Sequence, residues 1–226
     1  MNEYGCAVWL YGSRARGDED VLSDVDIFVV SDTEVSKKEV TQLVPELPGD
    51  ISISQYSWSE VIGMADYGSL FLHHLRTEGQ VLWEAEIGKG QLFKLLSEIG
   101  DYKYARRDIC GFMAVLEDVK TSLESGGVFT YELGVLGTVL RHSSILGCWL
   151  NGNPSFGRIA PVQRIVSRYG LSPEIAAEFP GLYEYRLYTD GRIAIISEPT
   201  RFQVEVWLNR VMKVVNAIAT DANDYH

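Results

Sequence analysis

The stretch LYGSRARGDEDVLSDVDIFVV, residues 10–30, decides the fold of the first part of this chain. It joins two short apolar runs, CAVWLYG at 6–12 and VDIFVV at 25–30, which are rich in β-branched and aromatic residues. Runs of this kind are typical of buried strands. Between them lie a Gly-Ser pair, two arginines and several acidic residues, of which Asp24 and Asp26 are the last.

Asp24 and Asp26 are two residues apart at the start of the second predicted strand. Side chains two apart in a strand point to the same face, so the two carboxylates lie side by side while Val25 packs on the opposite face. Adjacent carboxylates repel each other, and a divalent cation between them makes the arrangement favourable. Hard oxygen ligands indicate Mg²⁺, with Mn²⁺ as the alternative. A turn or capping role for both aspartates is the other interpretation.

The Gly12-Ser13 pair follows the first predicted strand and suits an anion. Gly12 lets the backbone pass close to phosphate groups, and Ser13 offers its hydroxyl and amide, with a helix expected to begin behind it. Arg14 and Arg16 flank this position, and one of them could hold a phosphate through two hydrogen bonds, with Arg16 favoured. The alternative is that both arginines are solvated or pair with the acidic residues at 18–20.

A third strand is predicted at 50–56, where DISISQY alternates apolar and polar residues. Asp50 stands at its head and would be a third carboxylate, either as a metal ligand or as the base for an acceptor hydroxyl. Because Pro-Gly-Asp is also a good turn sequence, a turn role for Asp50 is the alternative.

The remaining pattern is mostly helical. Ser36 can cap a helix that ends before Pro45, helices are predicted from Trp58 onwards with Gly79 as a C-cap, and QVLWEA is a short closing strand. Beyond it the helical windows lie at roughly 91–99, 102–125, 131–150, 174–188 and 201–219. The sequence therefore predicts an α+β protein. A small mixed β-sheet domain spans 1–88, and an all-α bundle of about five helices spans 89–226.

Gly12-Ser13, the spacing of ten residues to Asp24-Val25-Asp26-Ile27, and the later Asp50 resemble the pattern of the DNA polymerase β-like nucleotidyltransferase superfamily. GSRARG and SDVDI are most similar to its minimal, MNT-type members, over the first 85 or so residues. The resemblance implies that Asp24, Asp26 and Asp50 bind the metal and act in catalysis.

It also implies an NTP, expected to be ATP, as the co-substrate at Gly12, Ser13, Arg14 and Arg16. The reaction would move a nucleoside monophosphate to a hydroxyl and release pyrophosphate. The helical domain would form the acceptor side, as in the aminoglycoside nucleotidyltransferases that this layout resembles. These can use a carboxylate from their second unit, which makes Glu132 a candidate base. A helix-start role for Glu132 is the alternative.

Composition bears on the acceptor. The 226 residues carry a formal charge of -11, which argues against a surface that holds long nucleic acid through its phosphates. We therefore expect a cationic, aminoglycoside-like small molecule as the first candidate acceptor. A protein hydroxyl, as in MNT antitoxins, ranks second and an RNA end third. A non-catalytic nucleotide-binding interaction protein is the alternative from another class, and the oligomeric state is not predicted.

The adjacent histidines and the three cysteines predict no further metal site. His73 and His74 are adjacent in a predicted helix, so they point about 100° apart and do not ligate one ion from one face. Cys6, Cys110 and Cys148 are few and widely spaced, which predicts buried free thiols and neither disulfides nor a zinc site. The start of the chain carries no signal-like segment and no window is apolar over about 18 residues, so we expect a cytoplasmic location without membrane contact.

Overall fold

The computed structural model describes residues 5–19, 24–47, 51–194 and 197–224, and it divides the chain into two compact units, Met1–Lys103 and Tyr104–His226. The predicted α+β class is confirmed. The described elements of the first unit are β1 Ala7–Tyr11, α1 Gly12–Arg16, β2 Val25–Val30, α2 Lys37–Leu43, β3 Ile51–Tyr56, α3 Trp58–Asp66, α4 Leu70–Glu78, β4 Gln80–Glu84 and α5 Gln91–Ser97. Those of the second are α6 Ala105–Glu124, α7 Phe129–Leu150, α8 Ala160–Arg168, α9 Pro173–Thr189 and α10 Arg201–Asp224.

The sheet of the first unit is mixed, as predicted. Its strand order is β3-β2-β1-β4, with β2 parallel to β3 and the other two pairs antiparallel. In the β1–β2 pair Leu10 lies opposite Ile27, and Tyr11 lies opposite Asp26. The register therefore brings the end of β1 and the start of β2 to the same edge of the sheet.

The central strand β2 is buried on both faces. Val25, Ile27 and Val29 pack with Val40 of α2 on one face. Phe28 and Val30 belong to a different cluster on the other face, which is formed mainly with α3, α4 and α5. This period-two division sorts every side chain of β2 to one face or the other.

Local sequence explains where the helices of the first unit begin and end. Ser36 caps α2, as predicted, and forms a capping box with Glu39. Ser57 and Glu60 form the same arrangement at the start of α3. Gly79 is the C-cap of α4, as predicted, but its φ of -67° needs no glycine. A Cβ at this position would overlap the carbonyl oxygen of Leu75 and would also lie too close to the indole of Trp9, so close packing explains the residue.

Helix α5 lies in the first unit, whereas the predicted division at residue 88 assigned these residues to the helical bundle. Leu92 and Leu96 are fully buried in the same cluster as Leu72 and Leu75 of α4. Burial of these leucines against α4 provides the physical reason for the difference, because each removes a large apolar side chain from water.

The second unit is a bundle around α7, which contacts α6, α8, α9 and α10. Gly134 and Gly137 of α7 lie close to the backbone of α9, so the two helices pack tightly. α7 is long and apolar enough to cross a membrane, but most of it is buried inside the protein. Burial on most sides is typical of a helix in the core of a bundle. No helix was predicted at α8, which has only nine residues and has Pro161 in its first turn.

Stability of the first unit should depend on the protonation of His73. This side chain is 1% exposed, and its Nε2 is 3.0 Å from the carbonyl oxygen of Gly100. Burial, together with the charge of Arg76, lowers the pKa of His73 below its usual value. In the unfolded chain His73 is protonated below about pH 6.5, whereas in the folded chain it stays neutral to lower pH. The free energy of unfolding therefore keeps its full value above about pH 6.5 and falls as the pH drops below it.

We expect the free energy of unfolding to fall more steeply between about pH 7.5 and pH 5 in the wild type than in His73→Gln, because glutamine keeps a donor for Gly100 without titrating. Urea unfolding at a series of pH values measures both slopes. Equal slopes would show that His73 does not contribute to the pH dependence.

Candidate functional site

Gly12 and Asp26 meet at the edge of the sheet. Gly12 has a φ of 77°, a left-handed conformation that favours glycine, and a Cβ added there would overlap the carboxylate of Asp26. Tyr11, the residue before Gly12, is paired with Asp26 across the two strands. The backbone turn after β1 and the carboxylate at the start of β2 are therefore in direct contact, which joins two of the predicted site features.

Asp24 and Asp26 flank Val25, which is 1% exposed and packs on the α2 side of the sheet. Both aspartates are half-buried, Asp24 directly before β2 and Asp26 within it. The alternation along β2 puts Asp26 on the same face as Phe28, away from the face of Val25. The strand therefore holds the carboxylate of Asp26, and Asp24 directly precedes the strand.

Tyr11 is a neighbour of both carboxylates. Burial raises the pKa of Tyr11 to about 12, and a hydrogen bond with Ser54 offsets part of this increase. The negative charges of Asp26 and Asp24 raise the pKa further. The hydroxyl oxygens of Tyr11 and Ser54 are 2.9 Å apart. The ring of Tyr11 also makes an edge contact with Phe71, at 5.4 Å between ring centroids. The ring of Tyr11 therefore packs on other aromatic side chains, and its hydroxyl is a polar group near the two carboxylates.

α1 begins at the Gly-Ser pair, as predicted, and is only five residues long. Ser13 is half-buried in this helix, and Gly17 ends it with a φ of 73°. Arg14 is also half-buried, and among the described residues its Nε atom is buried without a hydrogen-bond partner. No described carboxylate forms an ion pair with Arg14.

Arg16, by contrast, contacts two carboxylates. Its Nε donates to both carboxylate oxygens of Asp18 at 3.1 Å, and its Nη1 donates to Oε2 of Glu78 at 2.6 Å. The pairing with Asp18 is the alternative that the sequence left open. A phosphate-binding role for Arg16 stays a prediction, and it would require competition with these two partners.

Glu78 joins α4 to α1. Its Oε2 accepts from Arg16 and also from Nε2 of His74 at 2.8 Å, and the Glu78 side chain is 12% exposed. Burial opposes ionisation of Glu78, but the hydrogen bonds from His74 and Arg16 outweigh it and hold its pKa below the usual value. His74 thus has a structural partner, and His73 points elsewhere, to Gly100. The two histidine side chains therefore contact different partners.

Two predicted residues are not part of this geometry. Asp50 lies outside the described residues, directly before the first residue of β3. Glu132 lies in the second unit, where it is 5% exposed and its Oε1 accepts from the hydroxyl of Ser122 at 2.5 Å. Glu132 is therefore a buried residue with a partner in its own unit, and its role as a base stays a prediction.

The cysteines are free, as predicted, but Cys110 is exposed. The expectation of burial is therefore wrong for this residue. Cys148 is buried, and Cys6 is half-buried.

The donor set at the sheet edge fits a divalent cation. Two half-buried carboxylates at the start of one strand are the hard oxygen ligands that Mg²⁺ prefers, and the missing Cβ of Gly12 leaves room beside one of them. Within the described ranges no three His, Cys, Asp or Glu side chains form a metal site. The third predicted ligand, Asp50, is not in those ranges.

Comparison with known proteins identifies the class of the first unit. Residues 3–87 match the family model "Polymerase beta, Nucleotidyltransferase". The first unit is therefore a polymerase β-like nucleotidyltransferase domain, which confirms the predicted resemblance. One similar solved structure is a nucleotidyltransferase-like protein from Exiguobacterium sibiricum 255-15, at 14% identity and a TM-score of 0.40, covering 98% of this chain and 72% of that one. No curated protein matches the chain significantly.

Sequence reasoning missed Tyr11 and Glu78 as neighbours of the site. For Tyr11 a signal existed, because it directly precedes Gly12 at the end of a predicted strand. For Glu78 none existed, because its contact with Arg16 joins residues 62 positions apart.

Proposed function

We propose that this protein transfers a nucleoside monophosphate from an NTP to the hydroxyl of an acceptor, with release of pyrophosphate. ATP is the first candidate NTP and Mg²⁺ the first candidate ion. The contact between the backbone of Gly12 and the carboxylate of Asp26 carries this proposal. It brings together a turn that can bind an anion and a pair of carboxylates that can bind a cation. A site for a metal–triphosphate complex requires both of these features.

The residues of the chain have separate tasks in this proposal. Asp24 and Asp26 would hold the divalent ion, which when bound supplies positive charge near the phosphate oxygens. The turn at Gly12 and Ser13 would hold the phosphates by backbone and hydroxyl groups, with Arg14 close by. Such catalysis depends mainly on positioning and on electrostatic stabilisation, so the placement of Asp26 within β2 and of Asp24 directly before it is relevant.

The transfer itself is an in-line displacement. The acceptor hydroxyl oxygen forms a bond to the α-phosphorus of the NTP, and the bond from that phosphorus to the oxygen that bridges to the β-phosphorus breaks. Pyrophosphate leaves with the electron pair of the broken bond, and the hydroxyl proton passes to a base. We propose Asp50 for this base from the family resemblance, with Glu132 as the alternative.

The distribution of charge supports a cationic acceptor at the catalytic unit. The first unit contains 8 Lys and Arg against 18 Asp and Glu, whereas the second contains 12 against 13. Nearly all of the net negative charge therefore belongs to the unit with the carboxylate pair, and it would attract both divalent metals and polycations. A cationic hydroxyl-bearing small molecule stays our first candidate, with a protein hydroxyl and an RNA end behind it.

Label transfer tests the proposal directly. Purified protein is incubated with Mg²⁺ and each α-phosphate-labelled NTP, separately with aminoglycosides, cytosolic proteins or total tRNA. We expect label in the small-molecule fraction with ATP, and its loss in an Asp24→Asn variant because that change removes a charged metal ligand. Label in protein or tRNA would keep the reaction and change the acceptor. Nucleotide binding without label in any fraction would favour a non-catalytic nucleotide-binding protein.

A further inference from the structure

We propose that Tyr11 is a positioning residue for Asp26. Its hydroxyl group bonds to Ser54 across β2, and this bridge confines the side chain of Asp26 on the side away from Gly12. The part of the proposal that concerns the metal depends on the function proposed above. The confinement of Asp26 does not, because it can be measured in the protein without metal or nucleotide.

The bridge between Tyr11 and Ser54 crosses the central strand of the sheet. Tyr11 lies opposite Asp26 in the antiparallel β1–β2 pair, whereas Ser54 lies opposite Phe28 in the parallel β2–β3 pair. The two hydroxyl oxygens are nevertheless 2.9 Å apart. The side chain of Tyr11 therefore extends from β1 over β2 to β3, and on its way it passes from the level of Asp26 to the level of Phe28.

The groups that form and adjoin the bridge share one face of the sheet. Tyr11 packs against the cluster that contains Phe28, and the alternation along β2 puts Asp26 on that same face. Ile53 packs in the cluster on the opposite face, so its neighbour Ser54 also lies on the face of Phe28. Residues directly opposite in an antiparallel pair have their Cβ atoms about 5 Å apart. The ring of Tyr11 therefore begins beside the side chain of Asp26.

Asp26 consequently has a neighbour on each side along β2. Towards the start of the strand, its carboxylate lies so close to Gly12 that a Cβ there would overlap it. Towards Phe28, the Tyr11–Ser54 bridge occupies the space above the strand. A rotamer of Asp26 that points towards Phe28 would have to displace the bridge. The bridge therefore favours the rotamer that keeps the carboxylate beside Gly12, at the edge of the sheet.

The aromatic ring that carries the bridge is itself held in place. Tyr11 makes edge contacts with Phe71 and with His74, at 5.4 Å and 5.7 Å between ring centroids. Nε2 of His74 is in turn 2.8 Å from Oε2 of Glu78. Replacing Tyr11 by Phe keeps the ring and its edge contacts and removes only the hydroxyl group. This variant therefore tests the bridge without opening a cavity in the aromatic cluster.

The rotamer of Asp26 is the first measurement, made on the full chain without metal or nucleotide. The Hα–Hβ scalar couplings of Asp26, measured by NMR, distinguish one staggered rotamer from an average of several. We expect a single rotamer in the wild type and averaged couplings in Tyr11→Phe and in Ser54→Ala. Ser54→Thr keeps a hydroxyl group and should restore the wild-type couplings.

Tyr67→Phe is the matched control for the loss of the hydroxyl group. Tyr67 is half-buried in the same unit, and its ring makes an edge contact with Tyr102 at 6.3 Å between ring centroids. The couplings of Asp26 should not change in this variant. Averaged couplings in the wild type, or a single rotamer in both Tyr11→Phe and Ser54→Ala, would overturn the proposal.

Metal binding is the second measurement, with Mn²⁺ as the probe and electron paramagnetic resonance as the readout. We expect Tyr11→Phe to weaken binding of Mn²⁺ about tenfold, which is typical when a group that supports a metal ligand is lost. In the background of Asp26→Asn, the same change should have no further effect, because Tyr11 acts through Asp26. Equal weakening in both backgrounds, or unchanged binding of Mn²⁺ in Tyr11→Phe, would reject the positioning role.

Failure of the proposed function gives a different result. If Asp26→Asn binds Mn²⁺ as well as the wild type does, the metal site of the proposed function fails. The couplings of Asp26 still report in that case whether the bridge of Tyr11 and Ser54 confines its side chain.

Discussion

Replacing Asp26 by Asn is expected to abolish nucleotidyl transfer while the chain stays folded. The change removes one charged oxygen ligand at the carboxylate pair but keeps the size and shape of the side chain beside Gly12. Metal-assisted stabilisation of developing charge is worth several kcal/mol, so we expect a loss of about 10³-fold or more in kcat/KM. The chain should stay folded, because asparagine keeps the size and shape of aspartate and one of its accepting oxygens. Steady-state kinetics and thermal unfolding measure the two effects.

Asp118→Asn is the matched control, since it makes the same chemical change at an exposed position of α6. It should change neither activity nor stability noticeably. If Asp26→Asn kept more than about a tenth of the wild-type kcat/KM, which corresponds to a loss of less than about 1.4 kcal/mol, Asp26 would not be a metal ligand in the reaction.

Gly12→Ala is expected to have the second largest effect, because it strains the backbone and displaces Asp26. Placing a Cβ on a residue in the left-handed region costs about 1–2 kcal/mol by itself. At Gly12 the new Cβ also overlaps the carboxylate of Asp26, so the turn or the aspartate must move. We expect a loss of about 2–4 kcal/mol in the free energy of unfolding and a loss of activity of about 10²-fold, since small displacements of positioned groups have effects of this size.

Gly90→Ala separates strain from overlap. Gly90 has the same φ of 77°, lies in the same unit, and has no atom within 4 Å of the position that a Cβ would take. It should lose about 1–2 kcal/mol of stability by urea unfolding and keep its kinetic constants. Equal losses of activity in the two variants would mean that contact with Asp26 is not what makes Gly12 important.

The strands and helix starts of the first unit could be predicted because their signals are local. The runs at β1, β2 and β3 are short and apolar or alternating, and both capping boxes are visible as Ser followed three residues later by Glu. The approach of the Gly-Ser turn to the carboxylate pair was implied by the family pattern. Each of these features depends on residues close in sequence or on a known spacing.

The features that were missed depend on tertiary packing. The pattern of α5 shows that it is helical, but not that Leu92 and Leu96 pack on α4 and not in the bundle. The contact of Arg16 with Glu78 leaves no periodic trace in the sequence. A carboxylate partner is favourable for a half-buried arginine such as Arg16, but with 31 acidic residues in the chain the partner cannot be chosen without the fold.

Because β2 is buried on both faces of the sheet, the chain folds stably only when the two aspartates are in their correct positions. A slip of one residue against β1 would turn Asp24 and Asp26 towards α2 and would move the fully buried Ile27 and Val29 to the opposite face. Such a mispaired sheet would bury unpaired charges and lose its best apolar contacts at once. The strand register that buries the core is therefore the same register that places the two aspartates. A population that unfolds cooperatively should contain essentially no well-folded molecules with misplaced aspartates.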